Sequence, residues 1–171
     1  MPSIYHVPFD FTPEEQKLYP SKFEEAQADY RLVRPAQADN YALLNPAHIA
    51  TYFKEFVYCP FDAFTQEELW VLMCDTHNTV RYESLIYRGT LNEVPIRIGE
   101  LFRSAIYYNA ASIALAHNHP SGSSLPSTAD ERVTENIVEA GNLLGIHVLD
   151  HVIIGQETCT SLLAKGLGGF K

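Results

Sequence analysis

One stretch constrains this chain more than any other. Over residues 111–130 a run of small and branched residues (ASIALA) meets two histidines one residue apart, then a loop punctuated by Pro120, Gly122 and Pro126, then Ser127 and Asp130. The apolar run reads as a buried strand. In an extended strand, residues two apart project to the same side, so His117 and His119 converge on one point. The Pro and Gly residues fold the loop back and set the first turn of the next element beside the strand end. That element is expected to be a helix over residues 127–144, because Val133, Ile137, Ala140 and Leu144 fall at helical spacing and Gly145 is positioned as its stop. Ser127 and Asp130 form a capping box, and a carboxylate in the first turn also gains from the helix dipole.

The flanking sequence supplies the rest of a mixed α/β (α+β) domain. Asn45 can cap a helix begun by Pro46, with Ile49, Tyr52, Phe53 and Phe56 on one face. Residues 68–74 (ELWVLMC) and 81–87 (RYESLIY) are β-prone, and Asp75, Thr76, His77 and Asn78 between them predict a hairpin with a polar loop. Residues 98–108 place Leu101, Ala105 and Tyr108 on one helical stripe, and residues 148–154 read as a final core strand ending near Gly155. The expected architecture is a mixed β-sheet flanked by helices, a single domain over residues 46–171. Residues 1–45 are expected to form an N-terminal extension, too rich in aromatics for an ordinary disordered tail. Such an arm could cover the domain or serve a homo-oligomer.

Composition narrows the partners. Twelve Lys and Arg against 21 Asp and Glu leave a formal net charge of −9, which disfavours direct DNA binding. Cys59, Cys74 and Cys159 are an odd set without a CxxC pair, the usage of reduced thiols in a cytoplasmic protein. No apolar run is long enough to cross a membrane, and the first residues lack the pattern of a signal peptide. A cytoplasmic protein with no membrane association is the expectation.

Two imidazoles with a carboxylate match what zinc asks of a catalytic site: three protein ligands and a fourth, open position. Asp130 is the natural third ligand to His117 and His119. A His-x-His pair in a loop can equally be hydrogen-bonded decoration, and Ser127 caps its helix whatever else it does. Asp150 and His151, adjacent on the last strand, could orient a ligand from behind or be structural polar residues of the sheet. The letters His117-Asn118-His119 are a coincidental echo of an HNH nuclease, whose residues are scattered along a ββα unit. HExxH, P-loop, GxGxxG and deaminase patterns are absent from the sequence.

The string H-x-H-P followed by S-x-x-D, with ten residues between the second His and the Asp, resembles the signature of the JAB/MPN (JAMM) metalloproteases and deubiquitinases. With HNHPSG, an upstream RGTLN at residues 88–92 and LLGIHVLDHVIIG at residues 143–155, the chain is more specifically similar to the RadC-like branch over roughly residues 45–165. The resemblance implies a zinc-dependent hydrolase cleaving a peptide or isopeptide bond in a peptide or protein substrate. Zn2+ would be held by His117, His119 and Asp130, and Ser127 would donate a hydrogen bond to the developing oxyanion. It also implies an upstream acid as proton carrier. Glu100 stands at that place, although Ile98 and Gly99 occupy positions where the branch usually has Pro and Arg; Glu83 and Glu93 are substitutes. An ordinary first-turn acid is the other reading of Glu100. RadC-like proteins usually carry a helix-hairpin-helix region ahead of this domain, and residues 1–45 show no such pattern. The rival function is a non-enzymatic RadC-like interaction module associated with DNA metabolism or mobile elements.

Overall fold

The computed structural model of the protein describes residues 33–89 and 97–170. Residues 1–32, most of the expected arm, and residues 90–96, which include Thr90, Leu91 and Asn92 of the RGTLN stretch and Glu93, lie outside the described residues.

Six strands form one sheet: β1 (Val33–Pro35), β2 (Glu67–Cys74), β3 (Val80–Gly89), β4 (Ser112–Asn118), β5 (His147–Ile154) and β6 (Cys159–Ser161), in the order β1-β3-β2-β4-β5-β6. Neighbours are antiparallel except β4 and β5, which run parallel. A parallel pair needs a crossover, and the helix α3 (Thr128–Leu144) supplies it. Among the described residues the other helices are α1 (Pro46–Tyr52), continued by a π-helical turn at Phe53–Val57, a 3-10 turn at Phe61–Ala63, α2 (Ile98–Tyr107) and α4 (Leu162–Lys165). Among the described residues no helix is long and apolar enough to cross a membrane.

The sheet is covered on both faces, which is why β4 is buried at every position and reads as a continuous apolar run. On one face Leu72, Ala114, Ala116, Val152 and Ile154 pack with Ile49, Tyr52 and Phe53 of the α1 segment. On the other, Val71, Met73, Ile113 and Leu115 pack with Leu101, Phe102 and Ala105 of α2 and Ile137 of α3. Each fully buried Val, Leu, Ile, Phe or Met side chain among them contributes roughly 1.5–3 kcal/mol. Helix α3 lies so close to the turn into β5 that a Cβ at Gly141 would sit 2.6 Å from the Ile146 carbonyl oxygen.

The helix starts follow the sequence. The Asn45 side chain accepts a hydrogen bond from His48 N at 3.0 Å, and Ser127 and Asp130 form the reciprocal capping box. The hairpin between β2 and β3 is tied by Asp75 Oδ1, which accepts from His77 N and Thr79 N, with Asn78 at φ 57°. One boundary differs from the sequence expectation. The sheet takes in Val33–Pro35, and Ala42 bridges Thr79, so part of the stretch assigned to the extension belongs to the sheet. A three-residue strand is too short to write an alternation, and what fixes it is distant in sequence: the Arg34–Glu83 ion pair at 2.6 Å.

Candidate metal centre

Strand β4 carries His117 near its end on the face covered by α2 and α3, His119 follows just beyond the strand, and the loop after it returns Asp130 to the same point. His117 Nε2 lies 3.0 Å from His119 Nε2 and 3.2 Å from Asp130 Oδ1, and His119 Nε2 is 3.7 Å from Asp130 Oδ2. One ligand atom from each residue lies within 4.8 Å of the others, a group that could hold a metal ion. His117 and Asp130 are buried, and His119 keeps 15 % of its side chain exposed, so the group opens to solvent on the His119 side.

The hydrogen bonds around the imidazoles decide which nitrogens carry protons. His119 Nδ1 lies 3.0 Å from the Ser123 carbonyl oxygen, which can only accept, so Nδ1 is the protonated nitrogen and Nε2 has a free lone pair. His117 Nδ1 faces His151 Nε2 at 2.8 Å, leaving its Nε2 toward Asp130. The unprotonated His119 Nε2, His117 Nε2 and a carboxylate oxygen of Asp130 therefore meet at one point, an arrangement that a cation relieves and that fits the imidazole and carboxylate chemistry of zinc.

Asp130 is prepared as an anion. Burial alone would raise its carboxyl, but His117 beside it and the bonds from Ser127 outweigh it and hold it well below the usual carboxylate range. Ser127 gives both its N–H and its hydroxyl proton to Oδ2, each at 2.7 Å. The hydroxyl has one proton, and here it is spent on Asp130. His119 is lowered by burial and by His117, against the opposing pull of Asp130, the Ser123 carbonyl and Glu67.

The loop is pinned from below. His119 N donates to the Ile154 carbonyl at 2.9 Å and Gln156 N to the Gly122 carbonyl at 3.1 Å. A Cβ on Gly155 would lie 2.4 Å from Gly122 O and 2.9 Å from Ser124 N, so the residue after β5 has to be glycine for the loop to close over it. Asn118 points to the opposite face, where Oδ1 accepts from Glu68 N and Nδ2 donates to Gln66 O, stitching β4 to the start of β2.

Residues 43–167 match the RadC-like JAB domain family. The chain belongs to it. It is 39 % identical over 138 residues to a UPF0758 protein of Chloroflexus aurantiacus, covering 81 % of this chain and 58 % of the relative. It is 40 % identical over 137 residues to a UPF0758 protein of Bacillus cereus, covering 80 % and 59 %, and 46 % identical over 106 residues to one of Roseiflexus castenholzii, covering 62 % and 46 %. The chain thus spans about half to three-fifths of the length of these curated relatives.

The acids singled out in the sequence take different places in this RadC-like domain. Glu100 sits in the first turn of α2, half-exposed and ion-paired with Arg97 at 2.9 Å. Glu83 is buried on β3, accepting from Tyr52 Oη, Gln37 N and Arg34 Nε, a structural knot. Another acid, Glu67, is one that sequence reasoning passed over. Leu69 of β2 pairs with His117 of β4, and continuing that antiparallel register beyond the ladder places Glu67 across from His119, on which it acts electrostatically. Only the strand register discloses this. His151 and Asp150 part company: His151 touches His117, whereas Asp150 accepts from Leu163 N and the Ser161 hydroxyl.

Proposed function

We propose that this domain is a zinc-dependent metallohydrolase of the JAMM type, cleaving a peptide or isopeptide bond. The observation that carries the reading is the convergence of two Nε2 atoms and a carboxylate held ionised, open to solvent on the His119 side. Zinc bound by His117, His119 and Asp130 would supply a Lewis acid that makes water nucleophilic near neutral pH.

The chain's own residues would do the rest. Ser127 holds Asp130 by two hydrogen bonds and fixes which oxygen faces His117. Glu67 takes the proton of the attacking water as its oxygen joins the amide carbon, and returns it to the nitrogen as the C–N bond breaks. Its position across from His119 supports this role over Glu100, whose described partner is Arg97.

Elemental analysis of the purified chain beside His119→Ala is the first test: about one zinc per chain, lost in the variant, is expected. Glu67→Gln and Glu100→Gln then separate the acids on any cleaved isopeptide or peptide. Glu67→Gln should lower kcat by about 10²–10⁴-fold with zinc retained, and Glu100→Gln should leave it near wild type. The reverse pattern would move the role to Glu100. A wild type that stays metal-free in excess zinc would support the interaction-module reading instead.

A further inference from the structure

Behind the ligand set runs a line of buried polar groups that the hydrolytic steps leave unused. From His117 Nδ1 it passes to His151 Nε2 at 2.8 Å, from His151 Nδ1 to Thr134 Oγ1 at 2.6 Å, and from Thr134 Oγ1 to the Asp130 carbonyl oxygen at 2.6 Å. His117, Thr134 and His151 are each at most 1 % exposed. The line starts on the side chain of one candidate ligand and ends on the main chain of another.

We propose that His151 and Thr134 are positioning residues that lock His117 into the Nδ1–H form and hold it in register with Asp130. The inference rests on the metal-centre reading and deepens it. Proton bookkeeping gives the line a single direction. A carbonyl oxygen only accepts, so the one hydroxyl proton of Thr134 goes to Asp130, and the hydroxyl oxygen must accept from His151 Nδ1–H. His151 Nε2 is then an acceptor, and the proton between the two imidazoles sits on His117 Nδ1. His117 Nε2 is left with its lone pair aimed at the space shared with His119 and Asp130. A metal-ligating histidine commonly gives its other N–H to an acceptor of this kind, which sets both ring plane and basicity.

The backbone is bent to make this contact. Ile113 pairs with Val148, but Leu115 pairs with His151, so β5 has one extra residue between them. Without that irregularity Leu115 would stand beside Asp150, and strand alternation would turn His151 to the other face. A packing residue needs no such device, because any apolar side chain on the regular register would fill the space.

The test compares wild type with His151→Phe, His151→Gln and Thr134→Val, each stripped of metal. It reads zinc affinity by chelator competition, the visible spectrum of the cobalt-loaded chain, and the melting temperature of the metal-free chain. His151→Phe should weaken zinc binding by about 10–100-fold and shift the cobalt bands. His151→Gln, whose side-chain carbonyl can accept from His117 Nδ1–H, should recover most of the affinity. Thr134→Val, near in shape, should weaken it in the same direction with little change in metal-free melting. Zinc affinity within twofold of wild type and an unchanged cobalt spectrum in His151→Phe would overturn the positioning role and leave the metal centre standing. Should His151→Phe fail to fold, the same result in Thr134→Val overturns it. A wild type that binds no zinc removes the ligand set, and the role with it.

Discussion

His151 is held where a protonated imidazole is expensive. Burial, and then the charge of His117, push its pKa down to about 3, against about 6.5 for an ordinary histidine. In the metal-free chain the sign of the consequence is fixed. Between those two values the unfolded chain binds a proton that the folded chain refuses, so stability is complete above about pH 6.5 and falls as the solution is acidified. The slope is at most about 1.4 kcal/mol per pH unit, so moving from pH 7.5 to pH 5 should cost on the order of 2 kcal/mol at this residue. His119 is lowered too and adds in the same sense, while Asp130 contributes its own loss only in stronger acid. Urea midpoints of the metal-free chain at the two pH values check this. Wild type should lose stability at pH 5, and His151→Phe should lose less; equal losses in the two would mean that His151 is not the residue that titrates.

At the scale of elements, the site is made by one close approach, the loop after β4 lying on the end of β5. Gly155→Ala would set a methyl group 2.4 Å from Gly122 O and 2.9 Å from Ser124 N, both backbone atoms that cannot swing aside. The loop must rise, and with it the Ser123 carbonyl that holds His119 Nδ1. Gly155→Ala should therefore destabilise the fold by about 1–3 kcal/mol and weaken zinc binding more than substitution at the distant Gly99, where a Cβ meets nothing within 4 Å. Equal zinc affinity in the two variants would show that the loop does not set His119. The elements themselves were legible: the Asn45 and Ser127 caps, the hairpin turn at Asp75, the apolar run into β4 and the amphipathic α3 each act through neighbours in sequence. So was the convergence of His117, His119 and Asp130, because strand alternation and a helix start are local facts. What escaped was register. That Glu67 lies across from His119 follows from continuing the pairing of Leu69 with His117, and that His151 and not Asp150 faces His117 follows from an extra residue in β5; neither leaves a mark in the letters.

Across the whole domain, the His117, His119 and Asp130 group is tied to the segment after α4. The segment after α4 turns back through Gly166 at φ +67° and Gly168 at φ +66°. At Gly168 a Cβ would lie 2.6 Å from Thr134 Cγ2 and 2.9 Å from Thr134 Cβ, so this segment packs directly on the threonine that bonds His151. At Gly166 a Cβ would meet nothing within 4 Å. The two glycines thus share a left-handed backbone and differ only in their surroundings. Gly166→Ala should cost about 1 kcal/mol from backbone strain alone. Gly168→Ala should cost that and more, because Thr134 must move, and a shift of Thr134 reaches both His117, through His151, and the main chain of Asp130. Denaturant midpoints paired with zinc titrations separate the effects. Lower stability in both variants, with weakened zinc binding only in Gly168→Ala, is the expected result; loss of affinity in both alike would mean that the metal centre responds to general loosening of the fold and not to the contact at Thr134.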